Sequence, residues 1–154
     1  MSAVPEHMLP LNPNLIDTLV SGGESGWIPN DLEGKAFIKV LFVGEENGQW
    51  AVLFRWKKGY VAAPHKHLSS AHTYIISGKL EIRDAVLEAG DYIYERNGMI
   101  HDKTEALEDT EYFFLCEGPL VFFDDNGITG YFGWEEVSRM KAGYEAAASA
   151  TSAT

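Results

Sequence analysis

The amino-acid sequence predicts an all-β fold, an antiparallel sandwich or barrel that carries one amphipathic helix at its C-terminal end. The first observation is a series of short apolar-rich segments between residues 36 and 132, separated by turn signals such as Ser77-Gly78 and Asn97-Gly98. The second is a change to helical spacing of the apolar residues beyond residue 132. Many short strands at such intervals are typical of sandwiches and barrels.

Three regions of a single domain are predicted in chain order. Residues 1–35 are rich in proline and glycine and are predicted to form an extended leader that wraps the domain. Residues 36–132 form the barrel, and residues 133–154 form the helix and tail. The predicted strands are, in order, AFIKVLFV, QWAVLFRW, TYIIS, KLEIR, DYIYE, EYFFLCE, LVFF and ITGYF. Asn47-Gly48 suits a tight hairpin turn between the first two strands.

The C-terminal region has the pattern of a helix that packs one face against the barrel. In the segment WEEVSRMKAGYEAAA, helical spacing places Val137, Met140, Tyr144 and Ala147 on the same side. We therefore expect an amphipathic helix over residues 134–148 on the outside of the barrel. The last residues, SATSAT, are expected to fray.

Composition excludes several classes of partner. The chain has 12 basic and 23 acidic residues, a formal net charge of −11, which repels nucleic acid and anionic lipid, so neither is expected as a partner. The single cysteine, Cys116, cannot form an intrachain disulfide, and its apolar segment predicts a buried structural thiol. The N-terminus lacks a signal-peptide pattern, and no apolar stretch is long enough to span a bilayer. A cytoplasmic location is therefore expected.

The stretch PHKHLSSAH, residues 64–72, holds three of the five histidines. Residues two apart in a strand face the same side, so His65 and His67 project together, as two ligands of one metal ion would. His101 follows the turn RNGM after the strand DYIYE and is the candidate third ligand. Imidazole suits iron, zinc, nickel and copper, whereas calcium and magnesium prefer oxygen. By itself, a His-x-His pair is equally consistent with histidines that bind no metal.

The spacing around these histidines resembles the two sequence motifs of the cupin superfamily, small β-barrels that hold one metal ion. The matching residues are Gly59, His65, His67, Gly78, Gly90, Gly98 and His101. The motif glutamate is replaced by His72, and the motif proline by Arg96. The resemblance implies a jelly-roll barrel with one metal ion per chain, bound by histidines without a carboxylate.

The role of His72 stays open at this point. Five positions from His67, it has the wrong parity to share a face on a straight strand, but a turn or bulge in LSSA would reset the parity. Because it stands where the motif has its glutamate, His72 is a candidate fourth ligand. The alternatives are a group that hydrogen-bonds to a molecule at the metal, and a bystander at the mouth of the barrel.

A narrower resemblance is to cupins that cleave carbon–carbon bonds with dioxygen. The segments HDKT at 101–104 and GPLVFFDDNG at 118–127, followed by Gly133-Trp134, are similar to those of the β-diketone (acetylacetone-cleaving) dioxygenases. The 2,4'-dihydroxyacetophenone dioxygenases share a histidine at the position of His72. The resemblance implies a non-haem Fe²⁺ dioxygenase acting on a small β-diketone or hydroxyketone. Arg83 either supports the site, as its counterpart position in the diketone-cleaving dioxygenases is also arginine, or belongs with Lys79 and Glu81 to a solvated strand face. Zn²⁺, Ni²⁺ and Mn²⁺ are the alternative metals.

Other functions fit the same fold: a metal-dependent lyase, isomerase or hydrolase, or a non-catalytic metal-binding module. Aromatic residues throughout the strands can line a dry pocket, but alternation does not tell which of them do so. A homo-oligomer, a dimer or a tetramer, is expected because the leader and the flat sheet faces of small cupins commonly bury against a partner.

Overall fold

The computed structural model describes residues 3–152 of the 154-residue chain. A 3-10 turn at Glu6–Met8 precedes the sheets, and the helix α1 (Trp134–Ser152) follows them. The strands are β1 (Trp27–Pro29), β2 (Ala36–Val43), β3 (Trp50–Trp56), β4 (Val61–Ala62), β5 (His65–His67), β6 (Ala71–Ser77), β7 (Lys79–Ile82), β8 (Ala85–Glu88), β9 (Tyr92–Glu95), β10 (Ile100–His101), β11 (Thr104–Ala106), β12 (Thr110–Cys116), β13 (Leu120–Asp124) and β14 (Gly127–Phe132). The eight strands predicted from the sequence are confirmed.

The strands form three antiparallel sheets around one core. The large sheet has the order β1-β2-β3-β12-β6-β9, and the two smaller sheets have the orders β10-β5-β13-β14 and β4-β11-β7-β8. Neighbours such as β3 and β12 are distant in the sequence, so the architecture depends on long-range pairing. The predicted all-β fold with a C-terminal helix is confirmed.

The core lies on the inner face of the large sheet. Along β3, Trp50, Val52, Phe54 and Trp56 are buried in alternation, and Cys116 at the end of β12 is fully buried, as predicted. Each large apolar side chain removed from water in this way stabilises the fold by about 1.5–3 kcal/mol. The inner face of β3 continues into the cavity described below, so the same alternation that builds the core also builds the site.

The helix α1 is longer than the sequence predicts. Val137 is fully buried, and Met140 and Tyr144 pack against the core, whereas Ala147 is exposed. Residues 149–152, expected to fray, continue the helix, and the Ser152 hydroxyl donates a hydrogen bond of 3.0 Å to the Ala148 carbonyl. Alanine has the highest helix propensity, which explains the extension. Residues 153–154 lie outside the described residues.

Most of the leader does not bury its side chains. Residues 3–25 are exposed throughout, and only its end is fixed, where β1 pairs with β2 and the Lys39 ammonium donates hydrogen bonds to the carbonyls of Ser21 and Gly23. Within residues 3–152, no helix combines the length and the apolar character that crossing a bilayer requires.

Candidate metal centre

Strand pairing brings the three predicted ligands together. His65 and His67 lie two apart on β5 and face the same way, and both are buried while Lys66 between them is exposed. On β10, His101 is the direct cross-strand partner of His65. Directly opposed residues on antiparallel strands have Cβ atoms about 4.5–5.5 Å apart, close enough for their side chains to share one ion.

A turn before β10 fixes the position of His101. The amide of His67 donates a hydrogen bond of 2.8 Å to the Met99 carbonyl, and the amide of Gly98 donates one of 2.9 Å to the His67 carbonyl. Gly98 has a φ of +87°, a conformation that costs little only without a side chain. The turn is thus tied to β5 on both sides, which holds the two strands in register.

The three rings form a compact cluster. Their centroids are 5.0–5.4 Å apart, and one ring nitrogen of each lies within 4.8 Å of those of the other two. Two imidazole nitrogens that bind one metal at about 2.1 Å lie roughly 3–4 Å apart, so a small inward movement of the rings closes the cluster.

The histidines are held neutral, as metal ligands must be. Burial, together with the neighbouring His65 and His101, lowers the pKa of His67 to about 3. Burial, together with His65 and Arg83, lowers the pKa of His101 to about 4. Burial also lowers the pKa of His65. The Nδ1 atom of His65 is 2.9 Å from the Ala63 carbonyl oxygen, which only accepts, so Nδ1 carries the proton and Nε2 keeps a free lone pair.

His67 gives the strongest indication that the cluster fits a metal. Its side chain is 0% exposed, and neither of its ring nitrogens has a hydrogen-bond partner within the described residues. A buried polar atom without a partner costs about 1–3 kcal/mol, so such atoms are rare unless something else binds them. A metal ion bound by the three histidines would give one of the two ring nitrogens of His67 a partner.

The structure adds Glu95, a buried carboxylate that the sequence analysis missed. Its side chain is 4% exposed, and Oε1 lies 3.4 Å from Nδ1 of His101 and 3.9 Å from Nε2 of His67. Oε2 accepts a hydrogen bond of 2.8 Å from the Thr73 hydroxyl. Burial raises the pKa of Glu95 to about 7, against the lowering effect of Thr73. The sequence offered one signal of this burial: Glu95 lies two positions after Ile93 on β9, so both side chains face the same, inner side of the sheet.

His72 does not join the cluster, which corrects the prediction of a fourth ligand or a group next to the metal. The residues 68–70 form a turn, after which β6 begins with Ala71 and Thr73 buried and His72 facing outward. Its Nδ1 lies 2.6 Å from the Tyr92 hydroxyl on the outside of the large sheet. The turn does not reset the strand parity, so Thr73, an even number of positions from His67, takes the inward position and His72 does not.

We expect His72→Ala to leave metal content and turnover unchanged, because this side chain lies on the opposite side of the sheet from the cluster. Metal analysis of the purified variant and steady-state kinetics check this. A loss of metal comparable to that of a variant at His65 would show that His72 turns inward in the working protein.

Arg83 lies beside the site rather than in it. It is exposed, at the first position of the β7–β8 turn, with a φ of +55° that few non-glycine residues adopt. One guanidinium nitrogen lies 3.5 Å from Sδ of Met99, and its charge contributes to the lowered pKa of His101. A supporting role for Arg83 remains a prediction.

A cavity of about 400 Å³ opens onto the cluster through His65, His101 and Glu95. Its other polar groups include the hydroxyl of Thr104, which is buried and has no hydrogen-bond partner among the described residues. The aromatic side chains of the walls are Phe54, Trp56, Tyr60, Tyr112, Phe114, Phe122 and Phe132. Mainly apolar walls with a few convergent polar groups are typical of sites for small organic molecules.

Known proteins share this arrangement of strands. The model of the ChrR cupin-like domain family matches residues 17–121. An acetylacetone dioxygenase from Acinetobacter johnsonii is similar at 22% identity and a TM-score of 0.78, over 88% of this chain and 98% of that one. A protein from Methylibium petroleiphilum PM1, provisionally named an acetylacetone dioxygenase, is similar at 25% identity and a TM-score of 0.71, over 83% and 99%.

A third similar structure is an RmlC-like cupin from Ralstonia eutropha JMP134, at 22% identity and a TM-score of 0.73, over 79% of this chain and 82% of that one. No curated protein matches the chain. Together with the sheet topology, these similarities confirm the predicted cupin barrel.

Proposed function

Because the chain belongs to the ChrR cupin-like family, we propose that it is a non-haem Fe²⁺ dioxygenase that cleaves a carbon–carbon bond of a small β-diketone or hydroxyketone. The proposal goes beyond family membership, since cupins host several chemistries. The observation that carries it is the cluster of three neutral, buried histidines on the wall of an aromatic cavity. One of the similar structures is named an acetylacetone dioxygenase and a second is provisionally so named, which supports the same reaction class.

In this proposal His65, His67 and His101 hold the metal ion. When bound, the ion would supply Lewis acidity toward the ketone oxygens and redox chemistry toward dioxygen. Neutral histidines leave the full double positive charge on Fe²⁺, whereas a carboxylate ligand would reduce it. The aromatic walls exclude water, which strengthens electrostatic interactions within the cavity.

Two further side chains are placed to act on the substrate itself. Oε1 of Glu95 faces the cluster, and in our proposal it accepts the acidic proton between the two carbonyl groups, while the Thr73 hydroxyl holds Oε2 in place. The Thr104 hydroxyl, which has no hydrogen-bond partner within residues 3–152, donates a hydrogen bond to a substrate oxygen. Both roles use groups that the cavity already presents.

The size of the cavity favours a substrate with a bulky apolar substituent. At about 400 Å³ it lies within the range of about 300–1,000 Å³ that encloses drug-sized ligands, well beyond the needs of acetylacetone. Phe54, Trp56 and Tyr112 form part of its aromatic wall and would contact such a substituent.

The buried carboxylate of Glu95 also favours a second candidate, a metal-dependent lyase or isomerase. In that reaction Glu95 would move a proton at a carbon next to a carbonyl group, and dioxygen would not be consumed. Zn²⁺, Ni²⁺ or Mn²⁺ would serve as well as Fe²⁺.

The proposal is tested by loading metal-free protein with each of these four metals and supplying acetylacetone, a phenyl-substituted β-diketone and an aryl hydroxyketone. We expect substrate loss only with Fe²⁺, matched by equal oxygen uptake, with the lowest KM for the aryl compounds. Oxygen electrode traces and mass spectrometry of the products measure this. Unchanged turnover under strict anaerobiosis would reject the dioxygenase and support the second candidate.

A further inference from the structure

Part of the cavity wall consists of aromatic side chains that carry hydrogen-bond donors. Trp56 packs edge to face against Tyr60 and Tyr112, with ring centroids 4.8 Å apart for the first pair and 5.1 Å apart for the second. All three side chains line the cavity that opens onto the histidines. We call Trp56, Tyr60 and Tyr112 the donor cluster.

The polar ends of the donor cluster have no hydrogen-bond partner within residues 3–152. Nε1 of Trp56 is buried and unpaired there, and the hydroxyls of Tyr60 and Tyr112 make no hydrogen bond in the same range. Nε1 of Trp27 is unpaired as well but lies outside the cavity, whereas Nε1 of Trp50 in the core donates a hydrogen bond of 2.9 Å to a backbone carbonyl. Buried donors without a partner are rare unless something else binds them, and several in one cavity wall indicate a bound acceptor.

The donor cluster lies at the end of the cavity away from the histidines. On β12, the ring of Phe114 lies 6.3 Å from the ring of His67. Tyr112 is the next inward residue of β12, and Trp56 pairs with Thr110, the inward residue after that. Each such step along a strand covers about 6.5–7 Å. A ligand whose reacting ketone lies at the histidines would therefore extend its other end toward the donor cluster.

The two tyrosines of the donor cluster stay protonated. Burial raises the pKa of Tyr60, and the negative charge of Asp31 raises it further. Burial also raises the pKa of Tyr112 well above its usual value, and the charges of Glu95 and Tyr60 add to this rise. A protonated hydroxyl and an indole N–H each donate a hydrogen bond. Three donors are thus directed to one region of the cavity.

The charges around the donor cluster exclude an anionic acceptor. Among the described residues that line the cavity, none is a lysine or an arginine. Asp31 near Tyr60 and Glu95 at the other end can add only negative charge. Burial of a carboxylate or phosphate without a positive partner is costly. A neutral carbonyl oxygen, with two lone pairs and no proton of its own, fits several converging donors.

We propose that the donor cluster binds a neutral carbonyl oxygen of the substrate, remote from the reacting ketone and separated from it by an apolar spacer. This inference rests on the proposed function and narrows its substrate class. A site built to hydrogen-bond an oxygen discriminates strongly against an analogue that lacks it, because the donors of the site are then left unpaired. The donor cluster thus determines specificity without contact with the reacting atoms.

The proposal is tested with three phenyl-substituted β-diketones that differ only in the para group, which is acetyl, isopropyl or carboxylate. These groups have nearly the same shape, but only acetyl offers a neutral carbonyl oxygen. We expect the purified protein to bind the acetyl compound at least about tenfold more tightly than the isopropyl compound, because the latter leaves buried donors unpaired. The carboxylate compound should bind most weakly. Isothermal titration calorimetry under argon measures the dissociation constants without oxygen-dependent turnover.

Variants of the donor cluster assign this preference to its residues. In Trp56→Phe/Tyr112→Phe, the affinities for the acetyl and isopropyl compounds should come within about threefold of each other, because two donors are lost while the aromatic wall remains. Tyr60→Phe, at a half-buried residue, removes one hydroxyl and should reduce the preference by a smaller factor. The matched control is Tyr74→Phe, at an exposed tyrosine outside the cavity, which should keep the wild-type preference. Far-UV circular dichroism verifies that each variant is folded.

Equal affinities of the wild-type protein for the acetyl and isopropyl compounds, or binding of neither, would overturn the proposal. Tightest binding of the carboxylate compound, or a preference that survives in both cavity variants, would overturn it as well. Oxygen uptake in air is a separate readout. A preference for the acetyl compound without oxygen uptake would reject the dioxygenase and keep the donor cluster, whereas oxygen uptake without the preference would do the reverse.

Discussion

Replacing His101 by alanine is expected to remove bound metal and to reduce turnover to background, a larger loss than the roughly 10–100-fold caused by changing a residue that only supports a ligand. Two imidazoles cannot retain a divalent ion against competition by water and buffer. The expected far-UV circular dichroism is unchanged, because the sheets do not depend on this side chain. Metal analysis by mass spectrometry and steady-state kinetics are the measurements.

The matched control is His72→Ala, a histidine of the same stretch as His65 and His67 that faces the other side of the sheet. A complementary variant, His67→Leu, should abolish metal binding yet leave the metal-free protein at least as stable as the wild type. The reason is that leucine removes two buried nitrogens that have no hydrogen-bond partner within residues 3–152. Full metal occupancy in His101→Ala would show that the cluster is not the metal site.

Glu95→Gln is expected to lower turnover about 100-fold while metal content stays near that of the wild type. An amide of the same shape keeps the hydrogen bond from Thr73 but cannot accept a proton, and loss of general base catalysis costs typically 10²–10⁴-fold. Glu81→Gln, a half-buried glutamate on β7, is the control and should behave as the wild type. Unchanged turnover in Glu95→Gln would exclude Glu95 as the proton acceptor.

Stability of the metal-free protein gives an independent readout of the same variant. The pKa values of His67 and His101 are about 3 and about 4 when folded and near 6.5 when unfolded. Below pH 6.5 the unfolded chain therefore binds more protons, and stability falls as the pH drops toward 4. Glu95 opposes this loss, because its pKa is about 7 when folded and near 4.5 when unfolded.

Replacing Glu95 by glutamine removes this opposing effect, so stability should fall more steeply as the pH drops. Between pH 7 and 4.5, the free energy of unfolding of Glu95→Gln is expected to fall faster with acidification, by up to about 1.4 kcal/mol per pH unit. Urea denaturation at a series of pH values measures the slope. An identical slope in variant and wild type would show that Glu95 does not hold a proton in this range.

Local patterns in the sequence determined much of this protein. Period-two alternation predicts the strands of the core, and the spacing of His65 and His67 places them on one face without knowledge of the fold. The turn signals after β9 place His101 on another strand. The spacing of the histidines and glycines resembles the cupin motifs, and that resemblance implies the barrel. These conclusions hold because strand formation and side-chain parity are properties of neighbouring residues.

Only the tertiary structure decided which side of the sheet Glu95 and His72 face. Glu95 is buried because β9 pairs with β6 in the register that sets Glu95 opposite Ala71, and this pairing joins residues more than twenty positions apart. The same register turns His72 outward beside Tyr94. The cavity and the exposed leader likewise depend on how distant segments pack. Parity is local, but the choice of which face becomes the inside is made by the pairing of strands, and pairing is not encoded in any single strand.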